Sequence, residues 1–243
     1  MKIAVLGTGT VGRTMAARFA DLGHPVTIGT RDPQATLART EPDGMGNPPF
    51  SAWQAGHPGV ALATFADAAA GAELVVNASS GAATLDVLGR AGADNLAGKV
   101  LVDIANPLDF SQGFPPTMSV KDTDSLGEQV QRAFPETKVV KTLNTLTASL
   151  MVDPRSLGES SSIFVSGDDV QAKATVVSLL ESFGHDDVID LGALETARGT
   201  EMLLPVWLRL MGALGTVGLF AGMALFWPRR RGKGVRKSLV ERK

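Results

Sequence analysis

The sequence predicts an α/β protein: a Rossmann-type doubly wound parallel sheet with helices on both faces and a small C-terminal extension. Two observations carry that prediction. The chain opens with an apolar run, a Gly-x-Gly-x-x-Gly turn and an amphipathic helix, in that order. Five further runs of strand length then alternate with helical patterns, the signature of a mostly parallel sheet. At 243 residues and 44 % hydrophobic content the chain can hold one large domain, or one domain plus a small lobe.

The first strand is Lys2 to Leu6, apolar enough to be covered on both faces. The turn Gly7-Thr8-Gly9-Thr10-Val11-Gly12 follows, and then a helix from Val11 to Leu22 with Met15, Phe19 and Leu22 at helical spacing and Gly23 as its stop. The first glycine permits a tight turn, the second a close approach to phosphates, and the third close packing of helix on strand. With a second strand at Pro25 to Gly29, this context reads as a pyrophosphate cradle at a helix N-terminus rather than a plain structural turn.

The end of the second strand selects the dinucleotide. An NAD site would carry an acidic residue there. This chain has Thr30 followed by Arg31, which favours the 2′-phosphate of NADP(H). Asp32 dissents, unless it caps the short helix after Pro33.

Residues Glu41 to Pro49 hold three prolines and two glycines, a loop suited to act as a lid or to contact substrate. Phe50 and Trp53 at i, i+3 suggest a short helix, and packing is the favoured role for both. A third strand follows at Gly59 to Ala63, then a helix with Thr64 as N-cap and Asp67 three residues on. The fourth strand, Glu73 to Asn77, ends in Ala78-Ser79-Ser80-Gly81, so Asn77, Ser79 and Ser80 are expected to face the ribose or nicotinamide. A helix over Thr84 to Ala91 leads to the fifth strand, Lys99 to Ile104, and to Asn106 before Pro107. The Asn106 amide either orients the nicotinamide or substrate, or stabilises the turn. A helix over Ser125 to Phe134 precedes the sixth strand, which begins at Lys138. Beyond it lie a strand over Ser162 to Ser166, a helix over Asp169 to Phe183 and a strand over Asp187 to Asp190. A long helical segment then runs from Thr196 to about Leu214, kinked or split at Pro205. The expected organisation is a nucleotide-binding domain over 1–155, a small α/β lobe over 156–227 and a disordered basic tail over 228–243.

Several chemistries are excluded. Without cysteine there is no disulfide, thiolate nucleophile or zinc–sulfur site. The three histidines are far apart, so no metal is expected, and the absence of tyrosine removes a Tyr-Lys couple. The tail 228–243 has a net charge of +7, which leaves −9 on residues 1–227 and makes the body a poor partner for nucleic acid. The first strand starts at residue 2, leaving no room for a signal peptide, and the expected location is the cytoplasm. Leu210 to Trp227 carries no charge and meets the length of a membrane span. A span with a cytoplasmic basic tail would put the nucleotide domain outside, so a buried or dimer-packing helix, and with it a homodimer, is favoured.

Four stretches together resemble the NADPH-dependent oxidoreductases of coenzyme F420, a deazaflavin carrier, and the related domain of the STEAP metalloreductases. They are the opening Met1 to Gly12, Ile28 to Arg31, Val139 to Thr145, and Asp190 to Arg198 with Glu201. The resemblance implies that Thr8, Thr10 and Val11 line the pyrophosphate loop and that Thr30 and Arg31 hold the 2′-phosphate. It also implies that Ser79, Ser80 and Asn106 lie near the ribose and nicotinamide, while Asn144, Leu194 and Thr196 border the deazaflavin. Hydride would pass directly between nicotinamide and deazaflavin (or a flavin-like acceptor), with no side chain acting as nucleophile or acid. The longer Pro-rich loop before Trp53 departs from the family pattern. A 3-hydroxyacid dehydrogenase would need a catalytic Lys on a C-terminal helix, and no Lys occurs between Ala174 and Trp227. A non-catalytic NADP(H) sensor is the remaining alternative.

Overall fold

The computed structural model describes residues 1–44, 46–210 and 212–213. The chain divides into two compact units, Met1–Ala105 with Ala133–Lys138, and Asn106–Arg132 with Val139–Lys243.

In the first unit the elements run β1 (Ile3–Leu6), α1 (Thr10–Asp21), β2 (Val26–Thr30), α2 (Pro33–Ala38), α3 (Phe50–Ala55), β3 (Val60–Thr64), α4 (Phe65–Gly71), β4 (Leu74–Asn77), α5 (Thr84–Ala91), α6 (Ala93–Leu96) and β5 (Val100–Asp103). The five strands are parallel, in the order β3-β2-β1-β4-β5. All four residues of β1 are buried, as a central strand covered on both faces requires. Val5 pairs with Ile28 on one side and with Val76 on the other. The chain goes from β1 outward to β2 and β3, then returns to the opposite side of β1 for β4. Strand order therefore reverses between β1 and β4, and ligands of such sheets lie at the carboxyl ends of that strand pair. The Rossmann-type doubly wound fold expected from the sequence is the one observed.

Local signals explain the helix ends. α1 stops at Asp21, and Gly23 at φ +82° turns the chain out. Thr64 Oγ1 accepts from Asp67 N at 3.1 Å, the expected cap of α4. Asp32 Oδ1 accepts from Ala35 N at 3.0 Å and so caps α2.

The second unit contains a short hairpin of β6 (Leu108–Asp109) and β7 (Thr117–Met118), then α7 (Leu126–Ala133), β8 (Lys138–Thr142), α8 (Ala148–Val152), β9 (Ser162–Gly167), α9 (Val170–Phe183), β10 (Asp187–Gly192) and α10 (Ala197–Met202). β9 runs antiparallel to β8 and parallel to β10. Two-residue strands leave no periodicity to read, so the hairpin escapes sequence analysis. Pro205 has the expected effect: α10 ends at Met202, Leu203 is a turn, and residues 204–210 form a new helix with the proline in its first turn, where no N–H is needed. Leu204 and Leu208 are buried on this second helix. Most of the apolar run Leu210–Trp227 and all of the tail 228–243 lie outside the described residues. Among the described residues, no helix is long and apolar enough to cross a membrane.

Candidate functional site

The glycine turn divides its labour. Gly7 has φ +129°, and a Cβ on it would stand 2.6 Å from the carbonyl oxygen of Ala78, so only glycine lets the loops after β1 and β4 come together. A Cβ on Gly12 would collide with the carbonyl of Gly7, which is the close helix–strand approach expected of the third glycine. Gly9 differs. Nothing lies within 4 Å of where its Cβ would be. It is also the N-cap of α1, where no side chain caps the first turn and no acidic residue offsets the helix dipole. The first-turn N–H groups have no intrahelical partners, so the turn, with Thr8, Thr10 and Val11 on it, suits an anion such as a pyrophosphate.

At the end of β2, Thr30 is buried, with its Oγ1 2.9 Å from Thr36 Oγ1, and Arg31 is exposed. The Asp32 carboxylate, the dissenting group, is engaged in capping α2. Asp86 is held below its ordinary range, first by its hydrogen bond from Arg90 and to a lesser degree by the charges of Arg90 and Arg31.

After β4 the structure corrects one expectation. Asn77 does not face a ligand: it is fully buried, donating to Asp103 Oδ1 at 2.8 Å and to Thr84 Oγ1 at 3.2 Å. Its Oδ1 accepts from Ser79 Oγ at 2.6 Å. The buried Asp103 carboxylate fixes the orientation of the Asn77 amide, whose Oδ1 then accepts the hydrogen bond donated by the Ser79 hydroxyl. Ser79 is therefore left with lone pairs to offer, so it acts as an acceptor. Ser80 next to it is exposed.

In the second unit, Asn106 and Asn144 are brought together. Asn106 Nδ2 donates to Asn144 O, and Asn144 Nδ2 donates to Asn106 Oδ1, both at 2.9 Å. Asn144 Nδ2 also donates to Thr200 O at 3.1 Å. The Asn144 amide hydrogens are thus committed to protein acceptors. The turn that presents Asn144 is strained: Leu143 has φ +61°, and Asn144 N donates to Thr142 O at 2.8 Å. Leu194 is 2 % exposed, with Asp168 Oδ1 accepting from its N–H at 2.9 Å. Thr196 Oγ1 lies 2.7 Å from Ser166 Oγ.

Sequence reasoning missed two constellations. The first is a buried ion pair, Lys141 Nζ to Glu201 Oε1 at 2.8 Å, in which both side chains are at most 1 % exposed. Glu201 also accepts from Leu126 N and Gly127 N, so a carboxylate distant in sequence caps α7. Both residues stood in the stretches that carried the family resemblance, which was the only signal for them. The second is Arg13 on α1. Its Nε donates to Thr8 O at 2.7 Å and its Nη1 to Pro48 O at 2.6 Å, and its guanidinium lies 5.4 Å from the Phe50 ring centre. Burial pushes the Arg13 pKa down, and Asp43 opposes that shift. A cation at the helical spacing of buried Ala16 was the available clue. Phe50 is buried as expected, and Trp53 stacks on His57 at 4.3 Å. Among the described residues, no group of three or more potential ligands is placed to hold a metal.

Residues 2–107 match the family model described as NADP oxidoreductase coenzyme F420-dependent. The chain is 30 % identical over 221 residues to an F420-dependent NADP reductase of Methanothermobacter marburgensis, covering 86 % of this chain and 92 % of that one. It is 29 % identical to rat metalloreductase STEAP3 over 90 % of its own length, which spans 40 % of that larger protein. A crystal structure from Arthrobacter sp. FB24, described as a candidate F420-dependent NADP reductase, is 69 % identical. It superposes with a TM-score of 0.86 over 90 % of this chain and 96 % of the other.

Proposed function

The chain belongs to the family of F420-dependent NADP reductases, which makes it an NADP-dependent oxidoreductase, and we propose that its second substrate is the deazaflavin coenzyme F420. The observation that carries the nucleotide half is the uncapped first turn of α1 with the open face at Gly9. The deazaflavin half rests on the reductase relatives that the chain matches along most of its length. NADPH, when bound, supplies a hydride from its nicotinamide ring.

The chain's own residues hold and orient. First-turn N–H groups of α1, at Thr10, Val11 and Gly12, take the pyrophosphate. Arg31, beside the buried Thr30 that leaves room for it, takes the 2′-phosphate, where a guanidinium offers a charge-assisted fork. Ser79 accepts from a ribose hydroxyl, because its own hydroxyl hydrogen is donated to Asn77, and Ser80 stands beside it. Asn106, near the ribose and nicotinamide, holds Asn144 through paired amide hydrogen bonds, and Asn144, Leu194 and Thr196 border the deazaflavin. Direct hydride transfer needs orientation and exclusion of water more than acid–base side chains.

The test is an assay of purified protein with NADPH and, in parallel, coenzyme F420 or FMN. Loss of the F420 visible absorbance, with FMN unchanged, supports the proposal. Reduction of FMN alone would make the protein a flavin reductase. NADPH binding without reduction of either acceptor would favour a nucleotide sensor.

A further inference from the structure

The Pro-rich segment after α2 is stitched to the phosphate turn at two points. Arg13, 8 % exposed, bridges the two: one nitrogen holds the carbonyl of Thr8 on the turn, and another holds the carbonyl of Pro48 on the segment. Asn47 makes the second stitch. Its Nδ2 donates to Thr10 Oγ1 at 2.8 Å and lies 2.9 and 3.1 Å from the two Asp43 carboxylate oxygens. An amide nitrogen carries two hydrogens, so these three acceptors compete for it. Beside the segment an open cavity of about 390 Å³ is lined by residues that include Thr8, Arg13, Thr36, Arg39 and Phe50.

Building on the nucleotide reading above, we propose that residues 39–44 and 46–49 form a strap that closes over the phosphates of bound NADP(H), with Asn47 as a phosphate-contacting residue and Arg13 as the positioning residue that anchors the strap. Thr10 is the first residue of α1, where the helix receives an anion, so a donor seated on its hydroxyl sits at the rim of the phosphate cradle. Arriving phosphate oxygens compete with Asp43 for the Asn47 amide, and a carboxylate that close opposes the ligand. Asp43 therefore weakens nucleotide binding, while Asn47 and Arg13 strengthen it. Neither Asn47 nor Arg13 takes part in hydride transfer.

The exposed Arg39–Thr40 bond reports strap closure through limited trypsinolysis of the full chain, with and without saturating NADP+, alongside calorimetric titration of NADP+. Proteolysis at such a site follows the population of the open form. In the wild-type protein NADP+ should slow cleavage after Arg39 by about tenfold. In Asn47→Ala that protection should fall below about twofold, and the Kd for NADP+ should rise about fivefold, the weight of one hydrogen bond. Asp43→Asn should tighten NADP+ binding, and Arg13→Lys, which keeps the charge but loses the fork, should lose protection. Thermal melting of each variant separates strap release from unfolding. NADP+ binding without protection of Arg39, or full protection in Asn47→Ala, would overturn the strap while leaving the nucleotide site intact. Absence of NADP+ binding in the wild-type protein would overturn both.

Discussion

The strand ends of the two units are equally polar in sequence and opposite in use. After β1 and β4, the first unit keeps hydrogen-bonding capacity turned outward: an uncapped helix turn, an open face at Gly9 and a serine whose proton is already placed. After β8, the second unit closes the Asn144 and Glu201 side chains on neighbouring protein groups. Asn144 binds Asn106 and Thr200, and Glu201 binds Lys141 and the start of α7. Buried polar groups are normally paired within the protein. A region whose donors lack protein partners is where a ligand completes the hydrogen bonding. A cluster such as Asn144 with Asn106 and Thr200, whose amide hydrogens are engaged within the protein, supplies rigidity instead.

The sharpest way to break this contrast is to open the closed region. Lys141→Met strands the Glu201 carboxylate in the interior, and removal of one partner of a buried pair costs about 3–5 kcal/mol. Urea unfolding should show that loss, while the folded fraction still binds NADP+. A loss below about 1 kcal/mol would mean the pair is not the keystone of the second unit. In the first unit, Arg31→Ala removes a charge-assisted contact of about 1.5–3 kcal/mol and should weaken NADP+ roughly 10- to 100-fold. Affinity for NAD+ and the unfolding midpoint should stay where they were. Equal losses for both nucleotides would remove Arg31 from the 2′-phosphate. Gly9→Ala is milder: its Cβ meets no protein atom, so stability should change by no more than about 0.5 kcal/mol. Nucleotide affinity should nevertheless fall about tenfold, because the methyl enters the face left open for phosphates.

The smallest effect concerns Asp124. Its carboxyl is lowered from 3.8 to about 2, chiefly by the hydrogen bond from Arg132. A depressed acid pKa contributes stability that is complete above the unfolded value and is lost as pH falls through the folded one. That contribution is therefore present at neutral pH and disappears on acidification from about pH 4 to about pH 2. Arg132→Gln should raise the Asp124 pKa toward its ordinary value in an NMR titration, leaving nucleotide binding unchanged. An unmoved Asp124 would contradict the assignment.

The first unit was the more legible in sequence because its determinants are local. Lys2 to Leu6, the glycine turn and Met15 with Phe19 announce strand, turn and helix within one short window, and Thr64 and Asp32 cap the helices that follow them directly. Arg31 could be proposed for the 2′-phosphate from sequence because the proposal needs only its neighbour Thr30 at the end of the strand. Asn77 misled because a polar residue at a strand end looks alike whether it faces outward or, as here, binds Asp103 on the adjacent strand. The second unit is written in distant pairs: Glu201 caps α7 from 75 positions away, and Asn106 meets Asn144 across 38. No periodicity encodes such pairs. Arg13 and Asn47 were hidden for a related reason, since a strap contact depends on how a proline-rich segment folds back.

Calorimetric titration of the wild-type chain with NADP+ and, separately, with NAD+ tests the open-site account most directly. An uncapped helix turn beside Thr30 and Arg31 predicts tight binding of NADP+, with a preference of about 100-fold over NAD+. Equal affinities for the two nucleotides, or no binding of either, would contradict it.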